Sequence, residues 1–229
     1  VRDDRERLVN AYERAQTLST AIALPIGVGV ALVAESLVKI TLGEKWLPAV
    51  IVIQVLASVF AVQTLSSTVQ PLAMAVGETR RLFMRDTAMF LARVPTIFIG
   101  IYFGGLSGLV FARAITGTLA IPINMLLVRQ MIGLSMRRQW MANARTLIAT
   151  TVMVFSVVAI DSIISNTIPT ITEIFHLSVS IMVGGSTYSA SILVLWAVCG
   201  KPDGPERFIL QELSKLLRRL RSSKGAAGV

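Results

Sequence analysis

"RDTAMFLARVPTIFIG", Arg85 to Gly100, opens on charge and then turns apolar, with Arg93 inside the apolar part and Pro95 two places on. Continued to Phe103, the apolar run is long enough to cross a hydrocarbon core, which takes about 20 helical residues. An arginine at the centre of such a span costs about 2.5 to 3.5 kcal/mol on insertion scales. The stretch is therefore either a membrane helix with a task for its arginine or no span at all. The rest of the chain decides between the two.

Of the 229 residues, 54% are hydrophobic and only 15% charged, and the mean hydropathy is +0.70. A soluble domain carries roughly 25% charged residues. The formal charge is nevertheless +9. Apolar and basic together describe a membrane protein whose positive charge is gathered on one side. A nucleic-acid binder would be basic but not built of long apolar runs, so nucleic acid is not an expected partner. Cys199 is the only cysteine, which excludes an internal disulfide and a thiolate metal cluster. The opening "VRDDRERLVNAYERAQ" is charged and helix-favouring, unlike a signal peptide. Val1 reads as an internal position, and the chain as part of something longer.

Six stretches are long and apolar enough to span: Leu18–Ile40, Leu47–Val76, Phe83–Phe103, Leu106–Val128, Leu147–Ile164 and Leu177–Val198. Residues 1–17 form a cytoplasmic amphipathic lead-in, 18–198 the six-helix transmembrane region, and 199–229 a basic tail. With the N-terminal end inside, the inner loops receive Arg2, Arg5, Arg7 and Arg14, then Arg80, Arg81 and Arg85, then Arg129, Arg137, Arg138 and Arg145. The tail adds Lys201, Arg207, Lys215, Arg218, Arg219, Arg221 and Lys224. Only Lys39 and Lys45 fall outside, and only Arg93 and Arg113 within spans. The bias repeats at every inner loop, so both ends of this chain are expected in the cytoplasm. Pro25, Pro71, Pro95 and Pro122 interrupt the first four spans. Each removes a backbone hydrogen bond, which is tolerated where a neighbouring helix or a wet cavity satisfies the freed carbonyl. Gly27, Gly29, Gly117 and the Gly184–Gly185 pair are candidates for close helix packing.

The stretch "ALPIGVGVALVAESLVKITLGEKWLPAVIVIQVLA" (Ala23–Ala57), its lead-in "DDRERLVNAYERA", and the later "QPLAMAVGETRRLF" and "IPINMLLVRQMIGLS" resemble one family. They look like the bacterial polysaccharide flippases, the Wzx-type lipopolysaccharide and exopolysaccharide exporters of the multidrug/oligosaccharidyl-lipid/polysaccharide superfamily. The likeness runs from about Asp3 to Ser135, with the turn "LGEKW-P" its most specific part; from Met136 onward only the span pattern is compatible. The resemblance implies an all-α polytopic fold whose six helices correspond to the last six of about fourteen. It implies an N-terminal lobe of the same protein as partner. It also implies an activity, the movement of a polyprenyl-pyrophosphate-linked oligosaccharide from the inner to the outer leaflet of the bacterial inner membrane by alternating access.

Within that frame a few residues could carry chemistry. Arg93 comes ten residues after Phe83, about 15 Å into the span at 1.5 Å per residue, close to the midplane of a core about 30 Å thick. It could bind an anionic pyrophosphate or sugar acid, since guanidinium pairs with phosphate oxygens bidentately. It could equally contact carbonyls, pair with Asp86 seven residues earlier, or snorkel. Arg113 lies about 10 Å below the outer end of its span, from where an arginine can bind substrate or reach back to water. Asn124, behind Pro122, could hydrogen-bond a sugar or a neighbouring helix, and Gln54 and Gln63 are similar. Asp161 could take part in ion coupling or simply be solvated at a helix end. Glu35 and Lys39 form a local i,i+4 pair. His176, near Glu173, reads as a boundary residue. No catalytic constellation, metal-ligand spacing or cofactor motif is present, so an enzyme is not expected.

In the tail, Ile209, Leu213, Leu216, Leu217 and Leu220 form a stripe at helical spacing, with Lys215, Arg218, Arg219 and Arg221 around it. That is the pattern of an amphipathic helix on the inner leaflet, attracted to anionic lipid. The readings left open beside the flippase are another exporter of the superfamily (for drugs or a cell-wall precursor), a membrane polysaccharide polymerase or ligase, and a non-transporting scaffold. The enzyme reading needs a long outer loop with acidic, histidine or arginine groups, and none is present.

Overall fold

The computed structural model describes residues 2–167 and 173–198. Among them there is no strand, and the chain is an all-α protein with long apolar helices, as a polytopic membrane protein requires. The basic tail, including Lys215, Arg218, Arg219 and Arg221, lies outside the described residues.

Helix α1 (Arg2–Leu32) carries the charged lead-in and most of the first span without a break. After a distortion at Val33 (φ −96°, ψ 8°) it continues as α2, Ala34–Thr41. Pro25 sits inside α1, and its ring removes the amide that would have bonded the Ala21 carbonyl one turn back. Tyr188 supplies the missing donor, its phenol donating to the Ala21 oxygen at 2.6 Å. The kinked helix is thus tied to α7 (Glu173–Val198). A bare backbone at Gly27 lets α1 approach α3 (Val50–Gln63): a Cβ there would lie 2.7 Å from the Ala61 Cβ. Gly29 and Gly185, also candidates for close packing, face open space instead.

The "LGEKWLPA" turn folds as a 3₁₀ helix, Glu44–Ala49, entered through Gly43 at φ 84°. The second span is not one helix. It breaks after α3 into a 3₁₀ turn, Thr64–Ser66, and resumes as α4, Val69–Ala75. The Thr64 carbonyl at this break is the centre of a buried polar network. It accepts from Gln16 Nε2 at 2.6 Å and from Thr20 Oγ1 at 3.2 Å. Gln16 Oε1 accepts in turn from the Thr68 amide at 3.2 Å and from the Thr68 hydroxyl. Non-helical backbone inside a membrane is tolerated only when its polar groups find partners within the protein, and α1 provides them.

Five helical segments are long and apolar enough to cross a membrane, yet one of them, α5 (Thr79–Ile132), has 54 residues. Straight, it would measure about 80 Å, far more than a core about 30 Å thick. It reverses at Gly105, whose φ of 56° and ψ of −135° are not helical. Residues 100 and 108, which would be about 12 Å apart along a straight helix, are in contact: a Cβ on Gly108 would lie 1.9 Å from the Gly100 oxygen. The third and fourth expected spans are therefore the two arms of a hairpin, 79–104 and 106–132, each long enough to cross a hydrocarbon core. Helix α6 (Met136–Thr167) begins at Met136, well before the Leu147 expected as the start of the fifth span, because the polar stretch "MRRQWMANAR" is helical too. Its Gln139 donates to the carbonyls of Met125 and Leu134 at 3.0 and 3.1 Å, which holds the early turns of α6 against the end of α5.

The contacts sort into two ends. At one, Arg5 donates to the Ile132 carbonyl, Arg81 to that of Gln130, and Arg138 pairs with Glu13 at 2.7 Å. A buried cluster that includes Tyr12, Leu72, Leu82, Val128 and Leu134 packs beneath them. At the other, Lys39 meets Glu173 and Asp161 meets His176. The turn at Gly105, a full arm-length from Arg81, belongs to this second end.

Candidate functional site

The hairpin brings the two intramembrane arginines together. Arg93 on the first arm and Arg113 on the second lie within Coulombic range of each other. Both are partly buried. Asp86, the expected rival partner for Arg93, instead pairs with Arg85 at 2.9 Å. Among the described residues neither Arg93 nor Arg113 has a carboxylate partner. Arg93 Nε and Arg113 Nη1 are buried donors without an acceptor. Two like charges in an apolar setting, each with an unused donor, make an arrangement that an anion would neutralise.

The Arg113 side chain does not run back toward the hairpin turn, as a snorkelling arginine would. It lies over Gly117, one turn deeper: a Cβ on Gly117 would sit 2.5 Å from Arg113 Nη1 and 2.5 Å from Gln63 Nε2. From α3, the Phe60 ring lies 5.2 Å from the guanidinium carbon, and Gln63 Oε1 accepts from Nη2 over a long 3.5 Å. Neither contact adds a negative charge, so the guanidinium is held without being neutralised.

Asn124 is three turns further along the same arm, about 16 Å from Arg113 by helical rise. It is buried, and its Nδ2 donates to Ser66 Oγ at 3.0 Å. That places it with the polar network at the break of the second span, in a cross-helix role.

The second end holds the other group of charges. Lys39 is bound by Glu35 at 2.9 Å, the expected i,i+4 pair, and by Glu173 of α7 at 3.2 Å. Asp161 of α6 contacts His176 Nε2 at 2.6 Å. These groups line a cavity of about 410 Å³ between α2, α6 and α7, together with Ser36 and Ser180. His176, read from the sequence as a boundary residue, thus has a defined partner. The pairing lay beyond sequence reasoning because α6 and α7 meet only in the folded chain. Phe60 was missed for the same reason, although its i,i+3 spacing from Gln63 puts the two on one face of α3. No group of histidine, cysteine and carboxylate side chains suited to a metal ion occurs among the described residues.

Among the described residues, several long apolar helices, interrupted by proline, define a multi-pass membrane protein. Residues 1–51, which form α1, α2, the 3₁₀ turn and the first residues of α3, match a family described as polysaccharide biosynthesis protein. The match covers less than a quarter of the chain and is a similarity to proteins of polysaccharide biosynthesis over that part. No curated protein and no solved structure compared with the chain matches it.

Proposed function

We propose that this chain is part of a flippase that moves a polyprenyl-pyrophosphate-linked oligosaccharide from the inner to the outer leaflet of the bacterial inner membrane. Its basic loops face the cytoplasm, and one half of the transporter rocks against the other about a central site. Arg93 and Arg113 bind the pyrophosphate of the cargo. The observation that carries this reading is the pair of unneutralised guanidinium groups, contributed by facing arms of one hairpin and lacking any carboxylate partner among the described residues. An arginine pair of this kind suits a phosphate-bearing lipid and repels a cationic drug, so among exporters of the superfamily it favours the former. Asp161, in contact with His176, is the group through which a coupling ion or proton acts.

The test is export by the intact transporter carrying Arg93→Ala or Arg113→Ala. A charge-assisted hydrogen bond contributes about 1.5–3 kcal/mol, which converts to about 10- to 100-fold in apparent affinity. Surface polysaccharide should fall accordingly while the amount of protein in the membrane is unchanged. Undiminished polysaccharide from both variants at equal protein level would refute the assignment.

A further inference from the structure

The contacts around Arg113 say more than that it is charged. An arginine eight residues from the turn at Gly105 has a short path to water, and burial of its guanidinium in the span has to be enforced. Three features enforce it. Gly117 leaves the backbone bare where the guanidinium lies, since any Cβ there would overlap Arg113 Nη1, Gln63 Nε2 and Val59 Cγ1 at 2.5–2.6 Å. Phe60 offers the negative face of its ring at 5.2 Å, an attraction that strengthens when the cation is desolvated. Gln63, one turn on, presents Oε1 to Nη2.

These contacts share a property that an ordinary structural salt bridge lacks. They fix direction and leave the full positive charge available. Phe60 is 54% exposed and Gln63 only half-buried, so neither is there to fill the core; the neighbouring Val59 and Ala61 do that. Gln63 also closes α3, immediately before the 3₁₀ turn at Thr64–Ser66. The hold on Arg113 is therefore built onto the broken helix rather than onto the hairpin itself.

We propose that Phe60 and Gln63, seated against Gly117, are positioning residues for Arg113: they keep its guanidinium turned into the membrane and charged, ready for a pyrophosphate or other phosphate-bearing group. The inference rests on the anion-binding reading of Arg93 and Arg113. It assigns α3 a part in recognition that neither arm of α5 can perform alone.

Thermal unfolding of the intact protein in detergent, titrated with inorganic pyrophosphate at constant ionic strength, tests it. A ligand that binds the folded state raises the unfolding temperature by mass action, so the half-saturating concentration reports apparent affinity. In the unsubstituted protein pyrophosphate should raise the transition, and Arg113→Ala should abolish the rise. Phe60→Leu and Gln63→Leu should each increase the half-saturating concentration on the order of tenfold, the scale of a desolvated cation–π contact or a charged hydrogen bond. Phe60→Trp, which keeps an aromatic face, should stay within about twofold. Phe60→Leu and Gln63→Leu proteins that saturate like the unsubstituted protein would overturn the positioning role and leave the anion site standing. An unsubstituted protein with no response to pyrophosphate would overturn both.

Discussion

At the scale of single residues, the membrane sets the cost of every polar atom, and the chain answers with specific partners. Gly105 adopts φ 56° and ψ −135°, a region that side-chain-bearing residues enter only under strain of about 1–3 kcal/mol. Gly108 has no room for a Cβ beside the Gly100 carbonyl. Gly108→Leu should therefore wedge the arms of the hairpin apart and cost at least about 1–3 kcal/mol. The check is the unfolding midpoint in detergent, compared with Gly104→Leu next to the turn, where a Cβ meets nothing within 4 Å. Equal midpoints for the two variants would mean that the arms do not pack through Gly100 and Gly108. The arginines follow the same logic in reverse. Among the described residues the hairpin gives them no carboxylate partner, so on the proposed reading their charge is available to an anionic cargo.

At the scale of elements, the prolines and the broken second span are repaired by side chains from other helices. Pro25 frees the Ala21 carbonyl, and Tyr188 of α7 satisfies it. Tyr188→Phe keeps the ring and removes only the hydroxyl, so it should lower stability by about 1 kcal/mol, the net worth of a part-buried hydrogen bond. Gln16→Leu should cost as much or more, because it removes the donor to Thr64 and the acceptor for Thr68 together. Denaturation midpoints of the two variants provide the measurement. A change within about 0.5 kcal/mol for both, the range of an ordinary surface substitution, would show that neither bond holds the bundle. The pairs around the 410 Å³ cavity, Lys39–Glu173 and His176–Asp161, join α7 to α2 and α6. Their side chains are partly exposed, so their worth lies in orientation more than in stability.

At the scale of the whole molecule, six crossings follow only if α5 folds back at Gly105. Single cysteines in a Cys199→Ser background test this with a membrane-impermeant thiol reagent. Cysteines at Arg80 and Arg137 should react from the same side of the membrane, and one at Lys45 from the opposite side. A straight α5 would put Arg80 and Arg137 on opposite sides. Basic loops on the cytoplasmic side are the expected orientation.

The all-α class and the long apolar helices were legible in the residues, because hydropathy and charge act locally and the bilayer punishes exceptions one residue at a time. The merged length of α5, the early start of α6 at Met136, the partner of Arg85 and the inward course of Arg113 were not legible. Each depends on what stands opposite, and spacing along one helix says nothing about the neighbouring helix. Arg93 shows the division most clearly. The sequence by itself determined that a charge lies near the middle of a span, where it needs a reason. Only the tertiary structure decided that its neighbour is a second arginine and that Asp86 is taken by Arg85, because a reversal at one glycine brings together residues twenty positions apart.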